Sequence, residues 1–152
     1  MVEVPIRVKR LVDGATLPVY AHPGDAGADL ALHQDVTLAP GERRLVGIGI
    51  ALAIPPGYAG FVQPRSGLAA RTGLTIVNTP GTIDAGYRGE IRICLLNTDR
   101  TRPIQLAAGD RVAQLIVQTV EHASFEPADD LDDTSRGTAG YGSSGGVAAW
   151  GD

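Results

Sequence analysis

The chain has 152 residues and a formal net charge of −4, and its 43% hydrophobic content suits one globular core and excludes disorder throughout. Twenty glycines and ten prolines against 5% aromatics exclude a helical bundle and imply frequent turns. One cysteine and three scattered histidines exclude an internal disulfide and a Cys/His zinc cluster, and the single lysine, Lys9, sits in no phosphate-loop motif, so any bound phosphate must meet arginines and backbone amides.

The N-terminus opens with Val4, Ile6 and Val8 alternating with Pro5, Arg7 and Lys9, the period of a strand with one buried face, and the proline places it at an edge or a start. Its charges leave no apolar stretch for a signal peptide, so a soluble, cytoplasmic protein is expected. Further strands are predicted over 28–32, 36–38, 43–54, 58–63, 74–77, 90–97, 104–106 and 111–120, separated by Gly/Pro turns at 39–42, 55–57, 79–81 and 108–110. Residues 45–64 are uncharged, long enough to span a bilayer, but Pro55, Pro56 and Gly57 interrupt them, so no membrane span is expected. One short helix fits residues 67–72, with Gly73 to stop it. Many short strands at this spacing point to an all-β fold, a jelly-roll β-sandwich or barrel.

After Val120 the character changes. Residues 126–133 carry five acids in eight positions, and residues 135–146 hold five glycines and four serines or threonines. The expected organisation is a jelly-roll domain over 1–125, an acidic linker over 126–134 and a flexible C-terminal arm over 135–152. Residues 1–120 carry twelve basic and ten acidic side chains, whereas 121–152 carry Arg136 against seven acids. Neither balance suits duplex binding, so no nucleic acid is expected as a partner.

Three stretches carry candidate chemistry. Residues 64–67, Pro-Arg-Ser-Gly, follow a strand and open the helix: Arg65, Ser66 and Gly67 make either an anion cradle or a serine N-cap in a tight turn. Residues 78–92 have the look of a hairpin, with Asn78 able to read a base edge, Asp84 able to orient or deprotonate a water and Tyr87 able to lay its ring on a ligand. The alternative is ordinary turn chemistry with Tyr87 as a core anchor. Residues 136–145 combine Arg136, Tyr141, two serines and four glycines, a composition able to wrap a nucleotide. Cys94 reads as a small buried residue rather than a nucleophile, because no histidine lies near it in the sequence.

With these stretches in view, the chain resembles the trimeric dUTPases. The five motifs of that family have counterparts in order: Asp-Ala-Gly-Ala-Asp-Leu at 25–30, Pro-Arg-Ser-Gly-Leu-Ala at 64–69, Gly-Thr-Ile-Asp-Ala-Gly-Tyr-Arg-Gly-Glu at 81–90, Gly-Asp-Arg-Val-Ala-Gln-Leu at 109–115 and Arg-Gly-Thr-Ala-Gly-Tyr-Gly-Ser-Ser-Gly at 136–145. The resemblance implies a homotrimer of jelly rolls with sites shared between subunits, hydrolysing dUTP with Mg2+ to dUMP and pyrophosphate. That activity limits uracil in DNA and supplies dUMP for dTTP synthesis.

It further implies that Asp84 positions the water that attacks the α-phosphorus and that Tyr87 leaves no room for a 2′-hydroxyl. Asn78, with the backbone of Gly81, Thr82 and Ile83, would read uracil. Arg65, Ser66, Gly67 and Gln114 would bind phosphates, Asp29 would hold a water on the metal and Arg136 would clamp the γ-phosphate. Arg92, Gly140, Tyr141, Gly142 and Ser143 complete the expected substrate contacts. Two features depart from the family: Tyr141 stands where many relatives have phenylalanine, and the acidic stretch 126–133 matches no motif. The alternatives are a dCTP deaminase of the same fold, which needs another acid/base carboxylate in place of the Asp-Ala-Gly-Tyr loop, and a non-catalytic nucleotide-binding trimer.

Overall fold

The computed structural model describes residues 3–140. The chain divides into two units, Met1–Glu121 and His122–Asp152, and every strand and the helix lie in the first. Alternation builds the strands: β3 (Val36–Leu38) and β10 (Ile104–Leu106) each read buried, exposed, buried, and they pair with Ile104 opposite Leu38. A second two-stranded ladder joins β1 (Arg7–Arg10) to β5 (Ile50–Ala53). The largest sheet runs β2 (Ala28–Ala31), β11 (Arg111–Thr119), β6 (Tyr58–Pro64), β8 (Gly81–Ile83). The last runs β4 (Arg43–Gly47), β9 (Arg92–Asn97), β7 (Leu74–Ile76). All ladders are antiparallel, and their inner faces meet in one aliphatic core that includes Leu30, Leu38, Ile50, Ile93 and Leu95, the jelly-roll-like all-β fold expected from the sequence. No helix among the described residues is long and apolar enough to cross a membrane.

Three expectations need correction. The predicted strand 43–54 is two strands in different sheets: β4 pairs with β9 and β5 with β1, and the chain changes sheet at Ile48 and Gly49. Gly49 is buried at φ +73°, a conformation that β-branched or bulky residues resist, so the glycine makes the break possible inside an apolar run. Residues 78–92 do not form a hairpin, because β8 joins β6 whereas Arg92 opens β9 in the other sheet. Cys94 is half-buried, opposite Leu45, which is exposed.

The helix α1 (Ser66–Thr72) begins one residue earlier than predicted and ends on Gly73 in the left-handed conformation, whose amide bonds back to the Ala69 carbonyl. Its N-cap is Arg65, in extended conformation and without a side-chain cap bond, so Ser66 is the first helical residue and not the cap.

Away from this end, one buried polar side chain ties the loops together. Asn97 is completely buried, and its Nδ2 donates to the carbonyls of Leu38, Ala39 and Arg102 at 3.2, 3.1 and 2.9 Å while its Oδ1 accepts from Asp99 N–H at 2.9 Å. The Asp99 carboxyl lies below its ordinary range, first because the amides of Thr101 and Arg102 donate to it. That favours the folded state above the ordinary carboxylate pKa, and the benefit is lost as pH falls through the lowered value.

Replacing Asn97 by alanine removes the partner of three carbonyls, that of buried Leu38 and those of Ala39 and Arg102, and of the Asp99 amide. The Asn97→Ala variant should lose about 3 kcal/mol of stability in urea denaturation, and a loss below about 1 kcal/mol would contradict this role.

Candidate active site

Strand register brings the first group of candidate residues together. On β11, Gln114 lies opposite Asp29 of β2 on one side and Gln63 of β6 on the other, one residue before the end of β6. Its Nε2 donates to the Pro64 carbonyl at 2.9 Å, which fixes the amide beside the start of α1. Arg65, Ser66, Gly67, Gln114 and Asp29 line one cavity of about 370 Å3, with His22, Asp25 and Arg71 also on its wall.

The electrostatic centre of this cavity is Asp29, whose side chain is 11% exposed. Arg65 Nε meets Oδ1 at 2.9 Å and Arg111 Nη1 meets Oδ2 at 3.0 Å, so one carboxylate serves two guanidinium groups. Arg65 also donates from Nη1 to the Arg111 carbonyl at 3.1 Å. Two acceptors therefore hold the plane of the Arg65 fork, and the three charged groups together carry one net positive charge, a setting that attracts an anion. Arg111 was legible in the sequence only as part of the stretch 109–115. Its position next to Asp29 follows from the pairing of β11 with β2, which composition does not reveal.

The second group lines a different cavity, of about 210 Å3: Asn78, Gly81, Thr82, Ile83, Asp84, Tyr87 and Arg92, with Ile76 and Ile93 as part of its apolar wall. Asp84 follows β8, is exposed, and joins none of the ion pairs found among the described residues. Its carbonyl accepts Tyr87 N–H at 3.0 Å, closing a tight turn between them. Arg88 folds back over this turn and donates to the carbonyls of Ala85 and Tyr87 at 2.6 and 2.8 Å. Tyr87 is 46% exposed, which rules out the core-anchor alternative, and its hydroxyl donates to the Glu90 carbonyl at 3.0 Å. A carboxylate free of cationic partners, an aromatic face and an amide side chain on an apolar floor can bind a flat polar ring and orient water nearby.

Arg136 and Gly140 belong to the second unit and are exposed. Arg136 Nε donates to the Ala139 carbonyl at 2.9 Å, and Gly137 N–H bonds to the Thr134 carbonyl at 3.0 Å. Tyr141, Gly142 and Ser143 lie outside the described residues.

A family model described as dUTPase matches residues 13–145. A deoxyuridine 5'-triphosphate nucleotidohydrolase of Thermobifida fusca is 60% identical over 146 residues, covering 96% of this chain and 82% of the relative. One from Leifsonia xyli subsp. xyli is 62% identical, covering 95% and 91%. Among solved structures, a Staphylococcus bacteriophage 80alpha dUTPase with dUpNHpp superposes with a TM-score of 0.87 at 28% identity, covering 93% of this chain and 98% of that one. A dUTPase mutant from phage phi11 of S. aureus, described with a structural Mg(II) ion, gives 0.77 at 27% identity, covering 83% and 97%.

The two ion pairs on Asp29 differ in burial, since Arg65 is 31% exposed and Arg111 54%. Double-mutant cycles read by urea denaturation should give a coupling of about 1 to 2 kcal/mol for Asp29→Asn with Arg65→Gln and below about 0.5 kcal/mol for Asp29→Asn with Arg111→Gln. Equal couplings would mean that burial does not set their strength.

Proposed function

Since this chain belongs to the dUTPase family and hydrolyses dUTP to dUMP and pyrophosphate, we propose that its active site joins the two cavities just described, the Asp84 cavity holding the nucleoside and the Asp29 cavity of another copy holding the phosphates. The observation that carries this reading is that none of the described residues lines both cavities, although both are lined by candidate site residues. A symmetric trimer satisfies it by setting the nucleoside half of one copy against the phosphate half of the next.

In the nucleoside half, Asn78 and the backbone of Gly81, Thr82 and Ile83 read the uracil edge, Tyr87 packs under the deoxyribose and excludes a 2′-hydroxyl, and Arg92 borders the pocket. A base lacking the matching donors and acceptors leaves these groups unpaired, at about 1 to 3 kcal/mol each. In the phosphate half, Arg65, Ser66, Gly67 and Gln114 take the triphosphate. Arg65 does so in a fixed orientation, because Asp29 and the Arg111 carbonyl already hold its fork. Asp84 accepts a hydrogen bond from water and aims its oxygen at the α-phosphorus, so that the bond to the bridging oxygen of pyrophosphate breaks in line. The glycine-rich segment supplies Arg136 for the γ-phosphate, with Gly140, Tyr141, Gly142 and Ser143 contacting the nucleotide.

Mg2+ fits this site as a companion of the substrate. Among the described residues no group of three or more His, Cys, Asp or Glu is placed to hold a metal ion, and both Asp29 oxygens are engaged by arginines. Asp29 would therefore hold the cation through water while phosphate oxygens ligate it directly, the mode that a small, reluctantly dehydrated ion prefers. Bound there, Mg2+ neutralises phosphate charge. Location in the cytoplasm agrees with a nucleotide substrate.

Asp84→Asn should lower turnover of dUTP about a thousandfold with dUTP affinity changed by less than about threefold. In 18O-labelled water the wild-type enzyme should place the label in dUMP; label in pyrophosphate would overturn attack at the α-phosphorus.

A further inference from the structure

Glu90 ends the stretch 81–90 on the wall of the Asp84 cavity, and its carbonyl accepts the Tyr87 hydroxyl. Its side chain turns inward. Oε1 accepts the Gly49 amide at 3.0 Å, across 41 residues of sequence, and Oε2 lies 3.4 Å from Arg92 Nε. The fold makes room for this carboxylate: a Cβ at position 47 would overlap it, and residue 47 is glycine. A second glycine clears the neighbouring space, since a Cβ at position 89 would collide with the Tyr87 hydroxyl.

The backbone on either side of that carboxylate is equally committed. The peptide between Glu90 and Ile91 is planar, so its carbonyl and its amide point in opposite directions as one rigid unit. The Ile91 amide donates to the Ile50 carbonyl at 2.8 Å, while the Glu90 carbonyl receives the Tyr87 hydroxyl at 3.0 Å. The Ile91 carbonyl in turn accepts Ile48 N–H at 3.1 Å. Two bonds therefore clamp residues 49–50 to residues 90–91: the carboxylate on the Gly49 amide, and the Ile91 amide on the Ile50 carbonyl. The Tyr87 hydroxyl is moored to the far side of that clamp. A tyrosine that is 46% exposed is otherwise free to swing, and its orientation depends on whether this peptide plane stays put.

We propose that Glu90 is a specificity-determining positioning residue, whose carboxylate on the Gly49 amide immobilises the 90–91 peptide and thereby holds the Tyr87 ring where it discriminates deoxyribose from ribose. Glu90 borders the same cavity as Tyr87, and the role assigned to it runs through the Tyr87 hydroxyl that its carbonyl holds. The inference rests on the proposed placement of Tyr87 under the sugar. The ion pair to Arg92 is secondary, because Arg92 is 59% exposed and the contact is long, so an uncharged acceptor at position 90 should serve nearly as well.

The test is the ratio of kcat/KM for dUTP to kcat/KM for UTP, measured with the full-length trimer and its dUTP-complexing Mg2+. Glu90→Ala should lower that ratio about tenfold, mainly by raising KM for dUTP, with kcat for dUTP within about twofold of wild type. Glu90→Gln, which keeps an acceptor for the Gly49 amide, should restore the ratio to within about twofold of wild type. Tyr87→Phe, which removes the moored hydroxyl, should lower the ratio as Glu90→Ala does, and the double variant should fall no further. Should Glu90→Ala fail to fold, Gly47→Ala displaces the same carboxylate without altering Glu90, and it should lower the ratio in the same way. A folded Glu90→Ala or Gly47→Ala protein with an unchanged ratio overturns the inference. Loss of the ratio in Tyr87→Ala separates the two layers: if that variant keeps wild-type discrimination, the placement of Tyr87 is wrong, and if it loses discrimination while Glu90→Ala keeps it, only the role of Glu90 is wrong.

Discussion

A single carboxylate sets the geometry of the anion cavity. Asp29 on β2 accepts Arg65 from the end of β6 and Arg111 from the start of β11, so the three adjacent strands of the largest sheet are joined at the place where α1 begins. Without it the two guanidinium groups would repel each other across a short distance, and Arg65 would lose the partner that fixes its Nε. With it, the site keeps a net positive charge and a fixed fork. Phosphoryl transfer asks little else of a protein, because its transition state needs placement and charge neutralisation more than covalent chemistry.

The Asp84 cavity is built on different principles. It has an apolar wall from Ile76 and Ile93, a carboxylate that joins no ion pair among the described residues, and a turn tied by backbone bonds. Arg88 locks that turn from outside, and the Glu90 carbonyl accepts the Tyr87 hydroxyl. Among the described residues Asp84 joins no ion pair, and that is chemically useful: a carboxylate paired with guanidinium is a poorer acceptor for water than a free one. In the proposed site, placing the cationic half on another copy would let each half fold under its own constraints.

Much of this was legible in the sequence, and the failures have definite physical causes. Period-two patterns located β3, β6, β10 and β11 to within a residue, and Gly73 marked the helix end. The run 43–54 misled because an apolar stretch carries no sign of a change of sheet; only the positive φ at Gly49 reveals it. Residues 78–92 suggested a hairpin because turn residues and alternation say where a chain bends and not which strand it pairs with. Motif resemblance named Asp29, Arg65, Gln114, Asn78, Asp84 and Tyr87 without dividing them, whereas the first three line one cavity and the last three another, and it gave Arg111 and Glu90 no part. Both bond to partners distant in sequence, 82 residues for Arg111 with Asp29 and 41 for Glu90 with Gly49, and such pairings emerge only once the chain has folded.

The division of the site between copies can be measured directly by mixing two inactive proteins, Asp84→Asn and Arg65→Gln, under conditions of verified subunit exchange. If Asp84 and Arg65 in each site come from different chains, a random equal mixture contains intact sites at about a quarter of positions and dUTP hydrolysis returns to about that fraction of wild type. If both residues of a site come from one chain, every site in the mixture carries a lesion and no activity returns.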